Sequence, residues 1–259
     1  MPLLEAKNVT IRFGGLTAVS DFNLVLEPHE LVGLIGPNGA GKTTIFDMLT
    51  GVYKPTEGEI AIGGKSTAGC RPYDITALGV TRTFQNIRLF KELPVLDNVK
   101  IGGHIHYTYS VGAAVLHTNR FYEAEAVAER DALTLLRLFK LDARAGQYAK
   151  NLPYGDQRRL EIARALAARP KLLLLDEPAA GLNDRETHDL MDTIHDVRDK
   201  FDITILLIEH HMELVMGICE RIVVLNFGKT IAQGTPAEIR SNPVVIEAYL
   251  GEPAENVEA

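Results

Sequence analysis

The segment Gly36-Pro37-Asn38-Gly39-Ala40-Gly41-Lys42-Thr43 constrains this chain more than any other feature of it. It fits G-x-x-x-x-G-K-[ST]. The apolar run Leu31–Ile35 precedes it, and a helix-forming stretch, Lys42–Thr50, follows and is stopped by Gly51. A buried parallel strand, a glycine-rich turn and a helix N-terminus, in that order, make a phosphate cradle. Gly39 and Gly41 let backbone N–H groups turn inward around phosphate oxygens, and the helix start adds a favourable dipole. Lys42 is placed to reach β- and γ-phosphates, and the Thr43 hydroxyl to ligate Mg²⁺. The pattern points to a nucleoside triphosphate held with Mg²⁺. A bare glycine turn before an ordinary helix is the alternative, and the strand–turn–helix context argues against it.

A second anchor lies at Asp176 and Glu177. The apolar run Lys171–Leu175 reads as a buried strand that delivers both acids to its carboxyl end, where open α/β sheets bind ligands. Asp176 is expected to hold Mg²⁺ through water, and Glu177 to polarise an attacking water as general base. The alternative is that the acids cap the turn at Pro178.

The remaining elements read as mixed α/β. Strands are expected at Glu59–Ile62 and Ile203–Ile208, and a hairpin at Arg221–Asn226 and Thr230–Gln233 around Phe227–Gly228. Glu123–Leu141 is amphipathic, with Ala128, Ala132, Leu135, Leu136 and Phe139 on one face. Gln157–Arg169 is a second helix, ended by Pro170. Asn183 with Glu186 forms an N-cap and its reciprocal partner, opening a helix that runs to about Phe201. Short helices begin at Pro236 and Pro243, the latter ending at Gly251. The acidic tail 252–259 is expected to be flexible. Residues 87–160 read as helix and loop, while the flanks read as strand and helix.

The net charge of −7 disfavours a broad nucleic-acid footprint. Cys70 and Cys219 lack metal-ligand spacing, and a reducing compartment fits two isolated thiols. His104 and His106 have no acid or cysteine at useful spacing and read as loop histidines. No signal peptide is read at Met1–Asn8, and the apolar runs are strand length, too short to span a bilayer. If the chain works at a membrane, another chain must hold it there.

Leu152-Pro153-Tyr154-Gly155-Asp156-Gln157-Arg158-Arg159 precedes a helix, with Asp176–Glu177 following it. This resembles the L-S-G-G-Q signature of ATP-binding-cassette (ABC) ATPases. Phe13 falls where these proteins stack an aromatic on adenine; a core residue of an N-terminal hairpin is the alternative. Gln85, within Thr81–Phe90, matches the Q-loop glutamine; a solvated loop amide is the alternative. Ala180-Gly181-Leu182-Asn183 matches the D-loop. His210, after the strand Ile203–Ile208, matches the switch histidine, with His211 as its structural neighbour.

The resemblance implies an α/β fold. It has a P-loop (RecA-like) core with a small antiparallel β subdomain and an inserted helical subdomain. The whole is one domain: core at 1–86 and 161–251, insert at 87–160. It implies ATP and Mg²⁺ as cofactors. Nucleotide contacts carry over to Phe13, Val19, Asn38, Gly39, Ala40, Gly41, Lys42, Thr43, Thr44 and Gln85, and, on a partner's nucleotide, to Tyr154, Gly155 and Asp156. Metal contacts carry over to Thr43, Gln85 and Asp176. Catalytic roles carry over to Glu177, His210 and Lys42. It also implies a head-to-tail dimer with a second ABC ATPase subunit, membrane permease subunits as partners, and no nucleic acid. The chain would sit peripherally on the cytoplasmic face of the inner membrane.

Two residues depart from the family pattern. Pro153 stands where the signature has a serine, and Asn183 where the D-loop has an aspartate. Both bear on the site to which this chain lends its signature. Within the family, Phe13–Val19, the Leu152-Pro153-Tyr154-Gly155 variant, the run Arg158–Leu166, Glu177–Asn183, the insert around His104–Arg120 and the ending Ala248–Gly251 are similar to the ATPases of branched-chain amino-acid importers. The ATPases of lipopolysaccharide export are the close alternative, and soluble ABC proteins acting on ribosomes or DNA a more distant one.

Overall fold

The computed structural model describes residues 1–107 and 109–250, the last without its side chain. The chain opens with β1 (Leu4–Phe13), β2 (Leu16–Leu26), β3 (Leu31–Ile35) and α1 (Lys42–Leu49). It continues through β4 (Glu57–Ile62), β5 (Lys65–Ser66), α2 (Pro72–Ala77) and β6 (Val80–Arg82). Next come α3 (Val95–Gly102), α4 (Val111–Val115), α5 (Asn119–Leu138) and α6 (Tyr154–Ala167), with short 3₁₀ turns between them. It closes with β7 (Leu172–Asp176), α7 (Asp184–Phe201), β8 (Thr204–Ile208), α8 (Met212–Ile218), β9 (Arg221–Asn226), β10 (Lys229–Gly234), α9 (Pro236–Arg240) and α10 (Pro243–Leu250). The expected helix end at Gly251 and the tail 252–259 lie outside the described residues.

Two compact units result: Met1–Val80 together with the chain from Lys171 onward, and Thr81–Pro170. The sequence-read insert boundaries, 87 and 160, fall inside the second unit. The reason is packing. α6 runs unbroken from Tyr154 to Ala167 and lies against α3 and α5, so it cannot be divided at residue 160.

The first unit carries an antiparallel sheet of order β2-β1-β4-β5 and a larger sheet of order β10-β9-β3-β8-β7, with β6 at the far edge where the chain leaves the unit. β9, β3, β8 and β7 are parallel neighbours. Parallel strands covered on both faces read as unbroken apolar runs, and every residue of β3, β7 and β8 is buried. One core cluster joins Leu4, Phe22 and Leu26 of the smaller sheet to Leu34, Leu174 and Leu206 of the larger one and to Phe46 and Leu49 of α1. Each such side chain contributes about 1.5–3 kcal/mol by leaving water.

Register positions the chemistry. Leu34 pairs with Ile208, and Ile208 pairs with Asp176. The carboxyl ends of β3, β8 and β7 therefore stand side by side, at strand spacings of about 4.8 Å. The loops that follow them, at Gly36, Glu209 and Glu177, open on one edge of the sheet.

In the second unit α3, α5 and α6 bury a shared apolar face. Ala128, Ala132, Leu135, Leu136 and Phe139 point into it as their spacing predicts, against Val95, Val99, Leu160 and Ala163. α5 starts at Asn119 rather than Glu123, with Thr118 as N-cap, and ends at Leu138 rather than Leu141. α6 starts at Tyr154 rather than Gln157, with Pro153 at its N-cap. No helix among the described residues is long and apolar enough to cross a membrane.

Candidate nucleotide-binding site

The loop after β3 is shaped by what glycine alone permits. Gly36 has φ +150°, and a Cβ there would lie 2.1 Å from the Leu225 carbonyl oxygen. Gly41, with φ +101°, caps α1, and a Cβ there would press on the Ala18 oxygen and Val19. Gly39 is different: φ is +80°, but a Cβ would meet nothing within 4 Å. Gly36→Ala is therefore expected to destabilise the fold by at least about 2 kcal/mol, roughly 4–8 °C in Tm. Gly39→Ala bears only the cost of an L-residue in the left-handed region, about 1 kcal/mol. Thermal unfolding of the two variants separates these cases, and equal midpoints would remove the close-contact argument.

Lys42 is buried at the first position of α1. Its ammonium donates to the carbonyls of Gly36 at 2.6 Å and Pro37 at 2.9 Å, curling back over the loop. Burial pushes its pKa down, partly offset by the charges of Glu177 and Asp176. Thr43 follows with its side chain exposed, and Thr44 is half-buried. Asn38 and Gly39 are exposed at the loop crest. Ala40 is buried and braced by an N–H bond from Gly228 to its carbonyl. Val19, expected as a nucleotide contact, has no exposed surface and packs beneath Gly41. It supports the loop from below rather than facing a ligand.

Asp176 is buried at the carboxyl end of β7. Glu177 follows in the left-handed region at φ +47°, its N–H bonded to the Ile208 carbonyl at 2.8 Å. A non-glycine residue held there costs about 1–3 kcal/mol, strain of a kind that collects at functional sites. His210 Nε2 donates to Glu177 Oε1 at 2.9 Å. The two residues expected to act together are thus in contact. The oxygen donors Thr43 and Asp176 suit a hard divalent cation such as Mg²⁺.

Phe13 ends β1 with its ring partly exposed, set edge-on to Tyr53 at 5.1 Å between centroids. Tyr53 sits beyond the end of α1, and no motif in the sequence marks it.

Gln85, Tyr154, Gly155 and Asp156 lie in the second unit. Tyr154 and Gly155 open the first turn of α6. Asp156 is engaged by Arg144 and, at 3.5 Å, by Arg159, so its carboxylate has partners within its own chain. The segment around Gln85 is stapled to α6. Arg158 donates to the carbonyls of Phe84, at 2.8 Å, and Gln85, and to the Tyr154 hydroxyl at 3.1 Å. Glu161 accepts the N–H groups of Phe84 at 3.4 Å and Arg88 at 3.2 Å. Arg158 and Glu161 are both buried and pair at 3.3 Å. Burial raises the Glu161 pKa against the pull of the Arg88 N–H and Arg158. One guanidinium thus touches both the Gln85 backbone and the Tyr154 hydroxyl. Sequence reading gave neither Arg158 nor Glu161 a role.

Asn183 caps α7. Its side chain accepts the Glu186 N–H at 3.0 Å, and Glu186 accepts the Asn183 N–H at the same distance. His106 donates through Nε2 to the Ala168 carbonyl at 2.8 Å, a structural use of a loop histidine.

A strand–phosphate loop–helix unit, an acidic strand end and a histidine in the turn after the adjacent strand define an ATP-hydrolysing cassette. The chain belongs to the ABC transporter family, whose model matches residues 19–180. A second model, described as branched-chain amino acid ATP-binding cassette transporter, matches residues 229–255. Among its relatives, the Escherichia coli protein named high-affinity branched-chain amino acid transport ATP-binding protein LivG is 50% identical, over 97% of this chain and 98% of its own length. BraF of Pseudomonas aeruginosa, named for the same transport, is 49% identical over the same shares of the two chains. The lipopolysaccharide export system ATP-binding protein LptB of Haemophilus influenzae is 33% identical over 97% of this chain and 98% of its own. In structure, an ATP-binding cassette of an ABC transporter in its ADP conformation matches at TM-score 0.83 and 30% identity, over 97% of this chain and all of that one.

Proposed function

We propose that this chain is the ATP-hydrolysing subunit of a transporter that imports branched-chain amino acids. The observation that carries the cargo is the 50% identity to LivG over nearly the full length of both chains, against 33% to the lipopolysaccharide-export relative. A second support is the carboxy-terminal match at residues 229–255, outside the residues 19–180 that the general ABC transporter model matches.

The geometry of the first unit supports the following roles. The glycine-rich loop and the start of α1 hold the phosphates, and Lys42 reaches the β- and γ-phosphates. Thr43 and Asp176 would hold Mg²⁺ through their side-chain oxygens. When bound, the ion neutralises charge on the terminal phosphates. Glu177 takes the proton of the attacking water, and His210 holds the Glu177 carboxylate in place. Phe13 stacks on adenine. Tyr154, Gly155 and Asp156 face the nucleotide of a second ATPase subunit in a head-to-tail dimer. A relative of known structure at 25% identity and TM-score 0.76 is described as dimeric, bound to ADP and phosphate. With Pro153 in place of a hydroxyl donor, a paralogous partner supplies the stronger signature. Permease subunits hold the assembly at the cytoplasmic face of the membrane, and the difference in ATP affinity between closed and open dimers drives them.

The test is uptake of leucine, isoleucine and valine by the source cells with this gene deleted and restored. Uptake is expected to fall on deletion and to return with the wild-type gene but not with Glu177→Gln. Unchanged uptake would sink the cargo reading. For the partner, steady-state ATPase of the purified chain alone is expected to stay low as its concentration rises. A rate per subunit that climbs with concentration would show that the chain builds working sites with itself, and would remove the need for a paralogue.

A further inference from the structure

Glu209 is a charged side chain that the mechanism above leaves without a task. It follows β8, directly before His210, and is only 3% exposed. Its carboxylate is fully engaged by main chain. Oε1 accepts the N–H of Ala179 at 2.7 Å, and Oε2 accepts the N–H groups of His210 at 2.9 Å and His211 at 3.2 Å. A carboxylate out of water needs such donors, and buried N–H groups equally need an acceptor. The bonds come from two segments. Ala179 belongs to the turn that leaves Asp176 and Glu177 for α7, and His210 and His211 belong to the turn between β8 and α8.

The same two turns meet twice more. The Glu177 N–H bonds to the Ile208 carbonyl at 2.8 Å, and the His210 imidazole bonds to the Glu177 carboxylate at 2.9 Å. Glu209 closes the remaining side of this ring. It fixes where the His210 main chain lies relative to the turn that carries Glu177, and so sets the reach of the imidazole.

We propose that Glu209 is a positioning residue for ATP hydrolysis, clamping the turn after β8 onto the turn after β7 so that His210 meets Glu177. The proposal rests on the reading of Glu177 and His210 given above. Glutamine at 209 keeps one carbonyl oxygen but turns an NH₂ group toward backbone N–H groups, so one side of the clamp must open. No atom of Glu209 touches the nucleotide in this account, so binding is left alone.

The experiment is a double-mutant cycle on the ATPase of the assembled transporter: wild type, Glu209→Gln, His210→Ala and the pair together, with kcat and KM for ATP measured for each. Glu209→Gln is expected to lower kcat about 10- to 100-fold, the range for removal of an orienting partner. Its KM should stay within about twofold of wild type. In the His210→Ala background Glu209→Gln should cost nothing more, because the group it positions is gone. Multiplying losses, or an unchanged kcat in the single variant, would overturn the proposal. A wild-type kcat in His210→Ala would overturn the reading of His210 itself, and the proposal with it. Thermal unfolding of each variant accompanies the cycle. If Glu209→Gln does not fold, Glu209→Asp, which keeps the charge and shortens the reach, takes its place under the same two criteria.

Discussion

Glu177→Gln should bind ATP as the wild type does and fail to hydrolyse it, with kcat lower by about 10²- to 10⁴-fold, the range for removal of a positioned general base. The substitution is nearly isosteric and keeps the backbone at φ +47°, so the strain of that turn is the same in both proteins. It also keeps an oxygen for the His210 Nε2–H, now 2.9 Å from Oε1. What it removes is the ability to accept a proton from water. Neither Lys42 nor Thr43 is altered, so the phosphates should be held as before. With ATP uncleaved, the state that favours the closed dimer persists. Size exclusion with ATP should therefore show dimer for the variant, with its cognate ATPase partner present, and a return to monomers when ATP is withdrawn. Mg²⁺-dependent phosphate release at saturating ATP reads the chemistry, and equilibrium binding of labelled ATP reads the site. Hydrolysis at the wild-type rate would remove Glu177 from the role of base. Lost binding would mean that its carboxylate matters chiefly as a neighbour of Lys42.

The parts of this site that were legible in the sequence are those written in consecutive residues. A strand, a glycine turn and a lysine in one run of chain specify the cradle, and the structure forms it at Gly36–Thr43. The burial of β3, β7 and β8 follows from apolar runs too short for helices. The hairpin of β1 and β2 was harder to read. Its pairing shifts register between Ala6 and Val9, Val9 and Ile11, and Ile11 and Arg12, so the alternation that marks a half-buried strand is broken repeatedly. α3 has eight residues, Pro94 at its N-cap and no side-chain cap, which leaves little local signal.

Partners distant in sequence were invisible for a different reason. Glu209 reads as one more acid beyond a strand, because its first partner, Ala179, lies thirty positions away. Asp156 reads as free to face a ligand, yet Arg144 reaches it from the turn preceding the helix. Val19 reads as a ligand contact by its place in a motif, but strand alternation turns it inward. A motif names the residues at a site. Which of them face the ligand and which support it depends on the pleat and on partners supplied by the fold.

Lys42→Ala should weaken ATP binding by about 10²- to 10³-fold, which corresponds to roughly 2.7–4 kcal/mol for one preorganised donor to developing or fixed phosphate charge. The size follows from where the ammonium sits. It is buried, held by the Gly36 and Pro37 carbonyls, and burial lowers its pKa while Asp176 and Glu177 pull it back. A buried ammonium acts through less screening water than an exposed one, so an incoming phosphate gains more from it than from an exposed lysine. The loss should depend on which phosphates are present: large for ATP, smaller for ADP, which lacks the γ-phosphate, and slight for AMP, whose phosphate lies beyond reach. Lys42→Arg should not restore binding, because a planar guanidinium does not fit a site shaped for a compact ammonium. Calorimetric titration with the three nucleotides checks the order, with a melting curve to show that the variant is folded. Equal losses for ATP and AMP would point to collapse of the loop rather than to a missing charge. An unchanged affinity for ATP would mean that the backbone N–H groups and the helix start hold the phosphates without Lys42.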